Sequence, residues 1–472
     1  MPVDTTHPLY NKWLPIWTKT RDAIAGEDQV KSKTTIYLPK LGKDQDQHQY
    51  NAYLKRALFH PFTGKTLEVS IGQLFRKPPT GTEALGDLEG NIDLSGENFS
   101  AFSRHVASEI LSVNRVGILV SYSEKQTRAY SVVYEAEQII NWETGMINGV
   151  KKTTMIMLYG TRQEKDPLDP YVIKSIGVWK ELYLDENGIY QTRDWEKGKV
   201  DGKEGFVQVA DSTPIKNDKT MTEIPFYVLT SAGITTDIEK SPLLGMANVN
   251  FGHYRNSASN ENMLHWTGVP TVIARGWPKG ETFPLGGVAG FNSVDGGADY
   301  LQAQSDTGLD RAMTKKEAIM AMLGTQLLSG KGRYVQSAQT AEITSQGEFA
   351  TLSDVAGSMS SGMSTAMSFM MDWQNDGKAE IPIEYNTDYQ AVDIPSGRIL
   401  ELGGAKNSGD ISPETYFYNL KKYEMYPVGL TYEQDQADIE KAGLAAIAKM
   451  DAKAKDEVDE LFSTPVDQNN DV

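Results

Sequence analysis

Hydrophobic positions along this chain switch repeatedly between helical and strand spacing, and each switch predicts a different kind of element. Up to Val113 they recur at helical intervals. Residues 12–27 and 45–76 read as helical, the second through Gln47, Tyr50, Tyr53, Leu54, Ala57 and Leu58. Pro61 and Gly64 break that run, a further helix spans Lys65 to Phe75, and Pro78-Pro79 closes it, because proline lacks the donor a helix needs. The Gly- and acid-rich segment 81–98 predicts a loop. A helix over Phe99–Val113 follows, with Phe102, Val106, Ile110 and Leu111 on one side.

From 116 to 230 the pattern becomes strand-like, in runs such as 116–122, 155–159 and 176–184, with turns at 185–188 and 197–198. An antiparallel meander in an α+β domain is the expectation. Ser241-Pro242 then signals a helix start, serine as N-cap and proline in the first turn, running to Thr267 before Gly268 and Pro270. Asparagines 248, 250, 256, 260 and 262 interrupt every face, so this helix is expected to pack against copies of itself with one face in water. A Gly-rich, short-strand insert occupies 269–307, with Val272-Ile-Ala as one strand. A second helix runs from about Asp310 to Leu323, and a loop carrying two cations follows to Tyr334. The longest helix opens at Gln339 and reaches Asn375. Val355, Met359, Met363, Met367 and Met371 recur along it every four residues, a stripe best read as core, while Gly347, Gly357 and Gly362 suggest a bend or a tight contact. Strand-like 380–389, helices at 412–425 and 431–462, and a disordered 467–472 complete the reading.

Composition narrows the function classes. The 472 residues carry a net charge of −17 and no cysteine, which removes disulfides, thiolate zinc sites and cysteine nucleophiles. The charge is uneven: the first 80 residues hold 12 Lys/Arg and 7 Asp/Glu, while from 433 onward there are 11 acids and 4 bases. No basic stripe of the kind that grips nucleic acid is present, and no apolar run approaches a membrane span. The first residues show neither a basic nor an apolar leader pattern, so no secretory signal is expected.

Catalytic motifs fail in turn. Gly330-Lys-Gly332 lacks both the first glycine and the Ser/Thr of a phosphate loop. His253 and His265 lie twelve residues apart with no third ligand, and read as polar-face histidines. Gly357-Ser-Met-Ser-Ser-Gly362 has the wrong spacing for a nucleophile elbow and reads as small-residue packing. Asp44/Asp46 and Asp306/Asp310 read as solvated or capping acids. No catalytic residue, cofactor or metal is expected.

The order helix, glycine-rich insert, helix, cationic loop, long helix resembles the central module of tailed-bacteriophage portal proteins. Residues 37–40, Tyr53-Leu-Lys-Arg-Ala-Leu-Phe59 and Gly72-Gln-Leu-Phe-Arg-Lys-Pro78 resemble that family too. So do Pro242-Leu-Leu244, His253-Tyr-Arg-Asn-Ser257, Leu264-His-Trp266, Pro270, Gly324-Thr-Gln-Leu-Leu328 and Thr340-Ala-Glu342. The resemblance covers most of residues 7–430. It implies a portal fold: an α/β wing over 1–240 with a return at 376–400, stem helices at 241–267 and 308–324, and a β-containing clip at 268–307. A tunnel loop at 325–338, a kinked helix at 339–375 and a helical crown at 401–472 complete the mapping. It further implies a homo-dodecameric head-to-tail connector at a capsid vertex of the virion, assembled in the host bacterial cytoplasm. Double-stranded DNA would pass through it without sequence reading, and its partners would be the terminase, a head-tail adaptor and the major capsid protein, with no membrane. On this mapping Lys331, Arg333, Ser329 and Tyr334 would touch DNA, and Trp277, Lys279, Phe283 and Phe291 would dock terminase and adaptor. The competing readings are another virion structural subunit (adaptor, tail or capsid) and, further off, a carboxylate-dependent hydrolase.

Overall fold

A computed structural model describes residues 3–147, 149–169, 171–200, 202–268, 271–275, 297–301, 307–328, 350–375, 377, 379–387, 389, 396–422, 425–426 and 430–444. The chain divides into two compact units, Met1–Tyr389 and Gln390–Val472.

The first unit is α+β. Its N-terminal helices are α1 (Pro8–Ala25), α2 (Glu27–Ser32), α3 (Gln47–Arg56), α4 (Phe62–Leu74) and α5 (Phe99–Val113). Local chemistry fixes their ends. Asp46 accepts a hydrogen bond from the Gln49 amide and caps α3, which is the capping role expected of that carboxylate. Asn98 caps α5 through the Ala101 amide, and Asn114, in a left-handed conformation, ends it. The segment 81–98 is more than a loop: a 3₁₀ turn over Thr82–Leu88 sends Leu85, Leu88 and Ile92 into the core.

The strand region splits into two sheets where one meander was expected. β1 (Val116–Ser123) and β2 (Arg128–Glu135) form a hairpin. β3 (Ile139–Ile147), β4 (Val150–Lys165), β5 (Ile173–Leu184), β6 (Tyr190–Val200) and β7 (Lys203–Ser212) form the five-stranded meander. After the short pair β8 (Ile215–Lys216) and β9 (Lys219–Thr220), β10 (Phe226–Thr230) returns to the free side of β1, and β11 (Gly233–Ile234) adds to it. The first sheet therefore reads β11-β10-β1-β2, with the meander inserted between its second and third strands in sequence. Periodicity reports strands but not which edges close, since the closing partner lies about a hundred residues away.

Next come α6 (Leu244–Gly268), β12 (Thr271–Arg275), β13 (Gly297–Leu301), α7 (Thr307–Leu328) and α8 (Ala350–Asn375). α8 crosses the first sheet and fills the main core. Val355, Met359, Met363, Met367 and Met371 are all buried, as the stripe predicted. Gly362 is a tight contact: a methyl group there would lie 2.4 Å from Leu229 Cδ2, whereas Gly357 faces open space. The part of this helix expected over 339–349 lies outside the described residues.

Behind α8 runs residues 381–385, which is extended but is not a strand of any sheet. Among the described residues its one bridge is Glu384 to Thr80. It is held instead by serines one helical turn apart. The Ser360, Ser364 and Ser368 hydroxyls accept from the amides of Tyr385, Ile383 and Ile381 at 3.0, 2.9 and 2.9 Å. Four residues of helix advance about 6 Å and two residues of extended chain about 6.7 Å, so the two repeats stay in step over three contacts. The same alternation buries Ile381, Ile383 and Tyr385 and leaves Pro382 and Glu384 outside.

The second unit holds α9 (Ser396–Ser408), which the sequence reading left unassigned, α10 (Pro413–Lys422) and helical residues 432–444. Phe417 is buried against the rings of Tyr426 and Tyr432, and Lys421 donates to the Leu430 carbonyl. The expected extension to 462 and the tail at 467–472 lie outside the described residues.

Removing a serine hydroxyl from α8 strands a buried amide, which costs about 1–3 kcal/mol. Ser364→Ala and Ser368→Ala should each lower the urea midpoint by an amount in that range, and Thr365→Ala, on the exposed side, should leave it almost unchanged. Equal midpoints for all three would show that the serines do not hold the 381–385 segment.

Candidate functional site

The region with the most distinctive architecture is the module running out along α6, through the β12–β13 hairpin, and back along α7. The hairpin is antiparallel, pairing Thr271 with Leu301 through to Arg275 with Gly297. The two helices are antiparallel as well, in a register that can be read from their contacts. A methyl group at Gly245 would meet Leu323 Cδ1 at 4.0 Å, at Gly252 it would meet Lys316 Cε at 3.2 Å, and at Gly324 it would meet Met246 Cε at 3.6 Å. His253 bonds Glu317 at 2.9 Å. Each step forward on α6 is matched by a step back on α7. Glycines 245 and 252, two turns apart on α6, lie under the Leu323 and Lys316 side chains of α7. α7 runs to Leu328, so residues 325–328, expected in a loop, are helical.

The two helices differ sharply in exposure. The asparagines predict that α6 packs against copies of itself with one face in water. Instead Ala247, Phe251, Tyr254 and Ala258, spaced four, three and four residues apart, form a stripe buried against α1, α3 and α4. The inward asparagines do not prevent this: Asn250, fully buried, donates to Thr63 Oγ1 at 3.2 Å. His253 is also not on a polar face. Its side chain is 0% exposed and packs near the rings of His60 and Phe62, while its partner Glu317 is half exposed on α7. The orphaned atoms Asn250 Oδ1, His253 Nδ1 and Tyr254 Oη follow one another on this face. Burial fades along the last two turns of α6, where Leu264, His265 and Trp266 reach solvent. Among the described side chains of α7 only Met320 and Gly324 are buried. α7, not α6, is the helix whose outer faces lie open.

Trp277, Lys279, Phe283 and Phe291, and Ser329, Lys331, Arg333 and Tyr334, all lie outside the described residues.

Beside the tip of α6 lies a groove of about 500 Å³, walled by α3 and α6 and lined by Leu41, His48, Arg56, His265 and Trp266. Arg56 donates to Asn262 Oδ1 at 3.1 Å and spans it. Sequence reading passed over this groove because its walls come from segments about two hundred residues apart.

The candidate metal ligands His105, Glu109 and Glu135 lie within 4.8 Å of one another. A cation already engages two of the three, Glu109 and Glu135. Arg21 from α1 forks onto Glu109 at 2.7 and 3.0 Å, bonds Glu137 at 2.6 and 2.7 Å, and approaches Glu135 at 3.8 Å. Burial of the guanidinium opposes its charge, but the carboxylates outweigh this and hold Arg21 above its ordinary pKa. Burial pushes the Glu109 carboxyl up, with Arg21 opposing the shift. The cluster is a charge clamp between α1, α5 and the β2–β3 connection, and not an open metal centre.

A family described as Domain of unknown function (DUF4055) matches residues 242–374, from the turn before α6 to the end of α8. No curated protein matches the chain. Among solved structures the chain is similar to one from "Neck of empty GTA particle computed with C6 symmetry", at 12% identity, covering 84% of this chain and 99% of that one with a TM-score of 0.38. It is also similar to one from "Virion of native gene transfer agent (GTA) particle", at 13% identity, covering 79% and 92% with a TM-score of 0.39. Similarity at that level carries no argument about role. No described helix is long and apolar enough to cross a membrane.

Arg21→Ala should destabilise the first unit by about 3–5 kcal/mol, because it leaves a buried carboxylate unpaired. The sign with pH follows from Glu109. A carboxyl whose folded pKa lies above its unfolded value favours folding at low pH and loses that contribution as pH rises. The deficit of Arg21→Ala relative to the parent should therefore widen from pH 4 to pH 7 in denaturation midpoints; a pH-independent deficit would show that Glu109 is not the group left stranded.

Proposed function

We propose that this chain is the repeating subunit of a ring in a phage-like particle, a portal through which double-stranded DNA enters and leaves the capsid. The observation that carries the reading is the module of two antiparallel helices joined through a β-hairpin, with most of the described side chains of α7 exposed or half-exposed although it packs along α6. A helix with two buried positions among its 18 described side chains gains little from its own chain. In a ring its outer faces would meet the neighbouring copy or the channel. The hairpin, at the far end of both helices, would be the clip that offers short strands to terminase and adaptor. The two solved chains named above sit in a particle neck and a virion, which is the setting this reading expects, although the reading rests on the module.

The strongly acidic chain suits a conduit. Repulsion between the wall and phosphates keeps DNA sliding, and a few cations such as Lys331 and Arg333 would touch the backbone without reading bases. ATP hydrolysis would belong to the terminase, and this chain would contribute no catalytic residue and no cofactor. Twelve subunits and a place at one capsid vertex belong to the same proposal.

Negative-stain micrographs and native mass measurement of the purified chain should show rings with a central hole. A compact monomer under every assembly condition would refute the proposal. Within rings, Lys331→Glu with Arg333→Glu should leave the assembly intact while impairing DNA packaging or retention. Deleting 276–298 should leave rings that no longer dock terminase or adaptor, and normal docking by that deletion would remove the clip assignment.

A further inference from the structure

The hairpin joining β4 to β5 ends in an apolar tip that its own chain does not cover. Leu168 is 95% and Tyr171 93% exposed, with Ile173 beside them at 62%. The tip is shaped before it meets anything. Asp166 accepts from the Leu168 amide at 2.9 Å and Asp169 from the Tyr171 amide at 3.0 Å, the Asp166 amide bonds the Val172 carbonyl at 2.9 Å, and Lys174 pairs with Asp166 at 2.6 Å. The strands beneath it extend past the start of β3, since Ile139 pairs with Leu158 and the last seven residues of β4 pair with β5 alone on that side. Two large apolar side chains are thus held out on a projecting, tied-down turn. Single exposed apolar residues are ordinary on protein surfaces, but a braced pair on a projection marks a contact.

We propose that this tip docks in the groove beside α6 of a second copy of the chain. The groove offers what the tip lacks: an aromatic and an aliphatic wall in Trp266 and Leu41, and cationic or protonatable groups in Arg56, His48 and His265, against one acid, Asp44. Asp169, which has no cation partner among the described residues, is the tip's contribution to the charge match. At about 500 Å³ the groove is of the size of ordinary small-molecule sites, large enough to receive a side chain from another molecule. Because tip and groove are different surfaces, the contact is head-to-tail, and repetition of it closes a ring or grows a filament. The inference rests on the ring reading above and adds the residues that would join one subunit to the next.

The absence of native cysteine gives a direct test. In Leu168→Cys with Gln49→Cys, a thiol on the tip and one on the groove wall should form disulfides between copies. Mild oxidation should then yield a ladder of covalent multimers that collapses under reductant, and neither single variant should extend beyond a dimer. Independently, Asp169→Arg and Arg56→Asp should each weaken assembly by about tenfold, and combining them should restore most of the loss. Rings in micrographs with no ladder and no charge rescue would overturn this contact while leaving the ring standing, and would assign the tip to another protein. A disulfide that forms within one chain would overturn it too. A chain that never assembles removes the ring and this contact together.

Discussion

The burial of α8 is the constraint on which the first unit depends. One helix must satisfy a β-sheet on one side and a length of extended chain on the other, and it does so by dividing its surface between two chemistries. Methionines and small residues take up the uneven surface of the sheet, where unbranched, polarizable side chains fill gaps that branched ones would leave. Serines at 360, 364 and 368 face the extended segment, where backbone amides need acceptors that no sheet supplies. Gly362 lies where the approach to Leu229 leaves no room for a side chain. With α8 seated, β10 and β1 are covered, α5 has a partner, and α7 has a fixed wall to lean on.

The outward module is built on a different compromise. α6 is anchored by an aromatic stripe and by the Asn250–Thr63 bond, while α7 packs mainly on α6, with the His253–Glu317 bond between them and lesser contact to α4 and α8. A helix with most of its described side chains exposed or half-exposed is less stabilised by its own chain and well placed to be stabilised by another. The same asymmetry separates the projecting β4–β5 tip from the core of the meander. The parts that gain least from intrachain packing, α7 and that tip, are the parts the ring reading gives to neighbouring copies. The acidic character of the chain fits with this, since a neutral or weakly basic contact surface is where like-charged copies can approach most easily.

Much of this was written in local sequence. The helix at 99–113 was legible to the residue, because asparagines at both ends and a clean apolar stripe agree with one another. The methionine stripe of α8, the break at Pro61, the capping role of Asp46 and the strand character of 116–230 are local signals of the same kind, set by backbone sterics, side-chain shape and periodicity within one or two turns. The order helix, short-strand insert, helix, long helix was equally visible, because glycine and proline mark its boundaries.

What the tertiary structure alone decided concerns partners distant in sequence. Counting asparagines on α6 suggested a helix for water and neighbours, yet the spacing of Ala247, Phe251, Tyr254 and Ala258 found its cover in α1, α3 and α4. A polar residue's cost depends on whether a partner such as Thr63 is there to meet it, and one-dimensional pattern cannot supply that partner. The strand-like run at 380–389 joined a helix's serines instead of a sheet, because alternation reports only which side chains point inward and not what accepts the backbone bonds. His253 became a buried anchor for the same reason. The sequence determined the elements and their order through short-range physics; long-range packing decided which faces were buried and which were left open for another molecule.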